Sequence, residues 1–165
     1  MPPVHRIKAI QKIPISLETA WKYFSDPHNL ISITPSSLNL KMTSHLYGDE
    51  VYAGQIMTYR VKPLFGIGVS WMTEISHVER MKMFVDDQRK GPYKFWHHQH
   101  HFKSIEGGVE MTDLVHYQLP FNFLEKTIHN IIVKPKLKEI FAYRFKKISE
   151  LFGTWPDAQM DLKID

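Results

Sequence analysis

The sequence predicts an α+β chain: a strongly curved antiparallel sheet of about six to seven strands wrapped around a long C-terminal helix, with two short helices after the first strand. Three observations carry this. Residues 38–119 hold successive alternating apolar and polar segments separated by turn signals. Residues 123–152 instead place apolar side chains at three- and four-residue spacing, the period of a helix with one buried face. Residues 4–33 give one strand and then two helix signals. A curved sheet with an apolar concave face needs a cover, and the helix supplies it. Such a helix rarely closes a bent sheet completely, so a cavity between the two is expected.

Each element has its own signal. Val4 to Ile13 alternates loosely as an opening strand, and Ser16 is placed to cap a helix over Leu17 to Ser25 with Leu17, Ala20, Trp21 and Phe24 on one face. Asp26-Pro27 restarts a short helix that ends before Pro35. Leu38 to Leu46 alternates as a strand. Gln55 to Leu64 and Val69 to Val78 pair around Phe65-Gly66-Ile67-Gly68, and Met81 to Gln88 pairs with Lys94 to Ile105 across Gly91-Pro92. Val109 to Leu119 closes the series. In the helix, Leu124, Ile128 and Ile131 form one stripe, continued by Leu137, Phe141, Phe145, Ile148 and Phe152. Pro135 removes a backbone donor and is expected to kink or divide the helix near Ile131. Residues 1–153 read as a single domain, and Thr154 to Asp165 as a loosely attached tail.

The segment from Phe84 to Leu119 is the richest in chemistry. Two adjacent glycines, Gly107 and Gly108, accept the positive φ values of a tight hairpin turn. With Glu106 and Val109 flanking that turn, Phe102 falls opposite Asp113, His100 opposite Val115 and His98 opposite Tyr117. Alternation then gathers Trp96, His98, His100, Phe102, Asp113, Val115, Tyr117 and Leu119 on one face, and His97, Gln99, His101, Lys103, Thr112, Leu114, His116 and Gln118 on the other. The first set is more aromatic and is expected to point inward. Its two histidines and aspartate cost free energy unless partnered, so they mark either an internal network or a ligand site.

Composition excludes several function classes. A net charge of +4 is mild, and the basic cluster Lys134, Lys136, Lys138, Arg144, Lys146 and Lys147 lacks the aromatic ladder of a nucleic-acid groove, so no nucleic-acid partner is expected. With no cysteine in the chain, disulfides, thiolate catalysis and Cys-ligated metal sites are ruled out. The N-terminal residues carry no targeting pattern, no run approaches the roughly 20 apolar residues of a membrane span, and a cytoplasmic location is expected. There is no G-x-S-x-G, no phosphate loop and no H-E-x-x-H.

Five strings together resemble one known group: SDPHNLISITPSSLNL at 25–40, WMTEI at 71–75, FVDDQRKGPYKFWHHQH at 84–100, GGVEMTDLVHYQLPF at 107–121 and IFAYRFKKI at 140–148. They resemble the START-like superfamily, also called SRPBCC or Bet v1-like, and within it the bacterial ligand-binding SRPBCC proteins related to polyketide cyclase/dehydrase-like domains. The resemblance spans about residues 4 to 152. It implies the helix-grip fold and a cavity for a hydrophobic small molecule, without supplying a reaction. Pro135, and Ser36 in place of a second proline, depart from the pattern of that group.

The candidate ligand-binding residues are Tyr59, Trp71, Gln88, Trp96, His98, His100, Phe102, Asp113, Tyr117, Phe141 and Arg144. Within the set His98, His100 and Asp113 are also candidate acid–base groups. Arg144 borders the inward helix face, where it can pair with a cavity carboxylate or anchor an acidic ligand. The H-x-H spacing puts two imidazoles on one face, as a metal needs, but a third ligand from Asp113, Asp86 or Glu74 is not fixed by sequence, and no metal or cofactor is assigned. The register across Gly91-Pro92 is left open, and with it the facing of Asp86 and Gln88. The reading that follows is binding of a hydrophobic or amphipathic small molecule, aromatic ones included, in the cavity. The alternatives are a cyclase-, dehydratase- or hydrolase-type enzyme using the His–Asp cluster, and a protein-interaction module with a vestigial cavity.

Overall fold

The computed structural model describes residues 3–46, 48–63, 66–120, 124–156 and 160–165. The turn residue Phe65, the strand end Leu64, the helix start Phe123 and the tail residues 157–159 lie outside these. The fold is an eight-stranded antiparallel sheet, bent around a C-terminal helix. The strands are β1 His5–Ile13, β2 Lys41–Met42, β3 Ile56–Val61, β4 Val69–Glu79, β5 Met83–Lys90, β6 Phe95–Ile105, β7 Gly108–Gln118 and β8 Asp161–Ile164. Their order is β2-β3-β4-β5-β6-β7-β1-β8, a meander closed by the return of β1 beside β7. No helix among the described residues is long and apolar enough to cross a membrane.

Helix α1, Leu17–Phe24, starts where Ser16 Oγ accepts the Thr19 amide at 3.1 Å, and it buries Ala20 and Trp21. Trp21 packs edge-on against Phe84 and Phe102, tying α1 to the sheet. The second short helix is a 3-10 turn, Pro27–Ile31, capped by Asp26, and a further 3-10 turn follows at Ser36–Leu38. The strand expected over Leu38 to Leu46 shrinks to the two residues of β2.

The long helix runs as α2, Glu125–Ile128, a π turn at His129–Val133, and α3, Lys134–Phe152. Lys134 N–H bonds the carbonyl of His129, five residues back. Pro135 explains the change of pitch: it has no N–H, and its ring crowds the carbonyl of Ile131, so the ordinary ladder cannot form there. The chain remains helical, and the expected division takes the form of a wider turn. That turn also moves the stripe. Ile131 is 71% exposed and Leu124 50%, whereas Glu125, His129, Val133, Leu137 and Phe141, every fourth residue, are buried. The wider turn holds more residues, so a four-residue spacing stays on one face.

The β6–β7 hairpin corrects the expected register. Ile105 pairs with Gly108, so the turn is Glu106-Gly107, and only Gly107 has a positive φ, +80°. Every pairing moves by two residues: His100 lies opposite Asp113, His98 opposite Val115 and Trp96 opposite Tyr117. A slip of two preserves the faces, because side chains alternate with period two. Trp96, His98, His100, Phe102, Asp113 and Tyr117 are buried, and His97, Gln99, His101 and His116 are partly exposed on the outer side. Gln118, assigned to the outer face, is buried at the strand end, where its carbonyl accepts the Lys94 amide.

Gly108 has a different task from its neighbour. A Cβ there would sit 2.2 Å from the Ile13 carbonyl oxygen and 2.9 Å from the Trp155 ring. Its bare Cα lets β1 close on β7. The tail is anchored as well: Trp155 lies against this turn, and residues 161–164 add β8 to the β1 edge, which a segment that short does not signal in sequence. Gly108→Ala is expected to destabilise the protein by about 1–3 kcal/mol through overpacking. Gly107→Ala, strained in φ alone, should cost about 1–2 kcal/mol. Urea unfolding of the two variants tests both, and a neutral Gly108→Ala would remove the close-approach argument.

Candidate functional site

A cavity of about 220 Å³ lies between the concave sheet face, the 3-10 turns and α3. Its walls are mainly apolar, with Trp71, Trp96 and Tyr93 packed edge-on or tilted against one another at one end. Of the residues singled out in the sequence, Tyr59, Trp71, Trp96, His98, His100, Phe141 and Arg144 line it. The others lie elsewhere. Gln88 commits its amide to the Gly91-Pro92 turn, donating to the Tyr93 carbonyl at 2.7 Å and accepting the Tyr93 N–H at 3.3 Å. Phe102 is packed among Trp21, Phe24 and Phe84. Tyr117 turns to His129, with 2.8 Å between its hydroxyl and Nε2. Asp113 stands behind the histidines, on a separate small recess shared with Gln11 and Arg144.

The floor is a four-residue ring of charge. Each imidazole lies between two carboxylates. His98 Nε2 is 2.9 Å from Asp113 Oδ1, and His98 Nδ1 is 3.5 Å from Asp86 Oδ2. His100 Nε2 is 2.8 Å from Asp86 Oδ2, and His100 Nδ1 is 2.9 Å from Asp113 Oδ1 but outside hydrogen-bond alignment. The two rings are 3.8 Å apart between centroids. Local pairing produces this: β5–β6 sets Asp86 opposite His98, and β6–β7 sets His100 opposite Asp113. Asp86 is thus the floor residue that sequence spacing left unassigned, since the register across Gly91-Pro92 and the irregular β4–β5 pairing hid its facing. Glu74 points away, to Arg89 on the outer side.

Electrostatics splits the pair of rings. Burial and the neighbouring His100 push His98 below the ordinary imidazole range. Burial also opposes charge on His100, but the Asp113 and Asp86 carboxylates outweigh it and raise its affinity for a proton. Burial likewise acts against Asp113, yet bonds from His100 and His98 and the field of Arg144 hold it well below the usual carboxylate range. Asp86 is lowered against burial by His98, His100 and Arg144. Arg144 reaches in from α3, with Nη1 3.6 Å from Asp113 and the guanidinium 5.5 Å from the Phe141 ring. Its Nε is buried without a hydrogen-bond partner among the described residues.

The cavity lining also includes residues outside the candidate set, notably Leu30 and Leu38 on the 3-10 turns, Ile33 between them and Ile140 on α3. Their signal was the apolar content of residues 25–40, which reads equally well as helix packing.

No family model and no curated protein matches the chain. Solved structures match its fold. Protein CV1439 from Chromobacterium violaceum shares 10% identity with a TM-score of 0.69, covering 92% of this chain and 99% of that one. TTHA0849 from Thermus thermophilus shares 16%, with a TM-score of 0.67 over 88% and 94%. Major latex-like protein 151 from Panax ginseng shares 12%, with a TM-score of 0.65 over 90% and 97%. These similarities establish a Bet v1-like helix-grip fold.

Both floor aspartates are held below their ordinary range. The stability they contribute is therefore present above about pH 4 and is lost as the pH falls through their folded values. Asp113→Asn is expected to flatten this acid limb. It also leaves two buried imidazoles against an amide, at a cost of about 3 kcal/mol. His101→Ala, on the outer side, should change stability by no more than about 0.5 kcal/mol. Urea midpoints measured at stepped pH check all three, and an undiminished acid limb in Asp113→Asn would contradict the ring of charge.

Proposed function

We propose that this protein binds a small amphipathic molecule, apolar along most of its length and bearing an acidic or oxygen-rich end. The observation that carries the reading is the asymmetry of the cavity: mainly apolar and aromatic walls, with Arg144, His98, His100 and Asp86 gathered into one ionisable cluster, and Asp26, Asn29, Thr34 and Thr73 among the other polar lining residues. The Arg144 guanidinium, a permanent cation with several N–H donors on a residue that lines the cavity, supports an anionic or carbonyl end at that cluster. The volume is below the roughly 300–1,000 Å³ of drug-sized sites, which favours a molecule of one or two rings. The major latex-like neighbour supports the fold of this reading and says nothing of the ligand.

A second reading draws on the opposite shifts of His98 and His100. Two titrating groups driven apart in one cavity suit an acid and a base, so the same floor is chemically equipped for proton transfer to a bound carbonyl. Native mass spectrometry of protein purified from its own host is expected to show a retained small molecule at one per chain. Arg144→Leu and His98→Ala should each weaken its rebinding by about 1–3 kcal/mol, while His97→Ala leaves it unchanged. Unchanged affinity in both folded inward variants would sink the assignment. Turnover of the bound compound that vanishes in His98→Ala with binding intact would favour the enzyme.

A further inference from the structure

The two histidines and Asp86 share a property that ligand binding does not use. Among the described residues they form the one group of three whose donor atoms, one from each side chain, all lie within 4.8 Å of one another. Two of the separations are shorter still: Asp86 Oδ2 is 2.8 Å from His100 Nε2 and 3.5 Å from His98 Nδ1. Donors bound about 2.0–2.2 Å from a common ion stand roughly 3.0–3.5 Å apart. The three atoms therefore bracket the spacing of a coordination sphere before any side chain moves.

The nitrogens on the far sides of the rings strengthen the case. His98 Nε2 and His100 Nδ1 both lie 2.9 Å from the same oxygen of Asp113. A carboxylate behind a ligating imidazole fixes its tautomer and aims its lone pair forward. Here one carboxylate stands behind both rings, and both forward nitrogens converge on Asp86. His98 Nε2 is hydrogen-bonded to Asp113, which leaves His98 Nδ1 to point forward, while His100 Nε2 is hydrogen-bonded to Asp86 at 2.8 Å, where a bound ion would take the place of the proton.

The balance of charge agrees. Two carboxylates share one permanent cation, Arg144, whose Nη1 lies 3.6 Å from Asp113, so a divalent ion that displaces the ring proton adds positive charge where carboxylates are in excess. The donors are two imidazoles and one carboxylate, a set suited to first-row divalent ions rather than to calcium or magnesium. His98, His100 and Asp86 also line the cavity, so the remaining coordination positions open toward the lumen.

We propose that Asp86, His98 and His100 bind one divalent first-row transition-metal ion at the cavity floor, with Asp113 as the positioning residue behind both rings. The ion's open positions face the space assigned to the small molecule, but the site does not depend on that molecule and is testable without it.

The outer side of the same sheet sets the control. His97, paired with Asp87 at 2.7 Å, and His101, beside Gln99, are partly exposed histidines that bind metal adventitiously if any do. Tag-free, chelator-treated protein is titrated with Zn²⁺ by calorimetry and with Co²⁺ by visible absorption. One equivalent is expected, with ligand-field bands of a protein-bound ion, and zinc should move the ring resonances of His98 and His100 in wild-type protein. Asp86→Asn and His98→Ala, checked for folding by circular dichroism, should abolish the bands. Asp113→Asn should keep them and weaken affinity on the order of 10- to 100-fold. His97→Ala and His101→Ala should change nothing. Absence of binding in the wild type, or stoichiometric binding that survives Asp86→Asn and His98→Ala, overturns the proposal. So does a wild-type zinc titration that moves only the outer histidines. None of these outcomes bears on retention of the small molecule, which native mass spectrometry reads separately.

Discussion

The pairing of His100 with Asp113 across β6 and β7 is the contact on which the cavity floor rests. These strands share an eleven-residue ladder, and one pairing fixes all the others. Asp113 can meet His98 as well as His100 only because it stands directly across from one and one step diagonal to the other. A two-residue slip, to the register that places Phe102 opposite Asp113, would keep every side chain on its face and still dismantle the ring. The turn at Glu106-Gly107, closed tightly because Gly108 lets β1 approach, is therefore a determinant of chemistry well away from the cavity.

Burying five ionisable groups together is costly, and mutual pairing offsets the cost. Two carboxylates, two imidazoles and a guanidinium lie within ion-pair reach, each with a side chain at most 19% exposed. Desolvation opposes charge on every member of the ring, and it wins only at His98. A network of this kind contributes little net stability compared with an apolar core of the same shape. The apolar clusters at either end, around Trp21 and Phe102 and around Tyr117 and Phe141, supply the stability that the ring does not.

Much of the fold was legible because it follows from periods. Alternation in 84–119 separated the inward from the outward histidines, and Ser16 marked the start of α1. What failed had local causes. Two adjacent glycines admit two positions for one turn, so composition could not choose between registers. The irregular β4–β5 pairing, together with a long hairpin, hid the facing of Asp86. Gln88 looked available because its turn-capping bonds depend on backbone geometry that sequence does not reveal. Ile131 looked buried because the helical period was carried unchanged through Pro135, where the π turn resets it. The lining role of Leu30 and Ile33 was missed because apolar residues in and beside a short helix serve packing and lining with the same composition.

The addition of β8 has a consequence for life in a crowded solution. An eight-stranded sheet with two open margins invites other chains to extend it, since an unpaired ladder of amides and carbonyls is a ready template. At one margin the exposed strand, β2, is only two residues long. At the other, β1 would present nine residues of bare ladder, but β8 occupies Ile7 to Ile10 and the Arg6–Asp165 backbone bonds continue the seal. The last strand leaves a four-residue fringe where a nine-residue one would stand, and so makes the sheet a poor seed for its own aggregation.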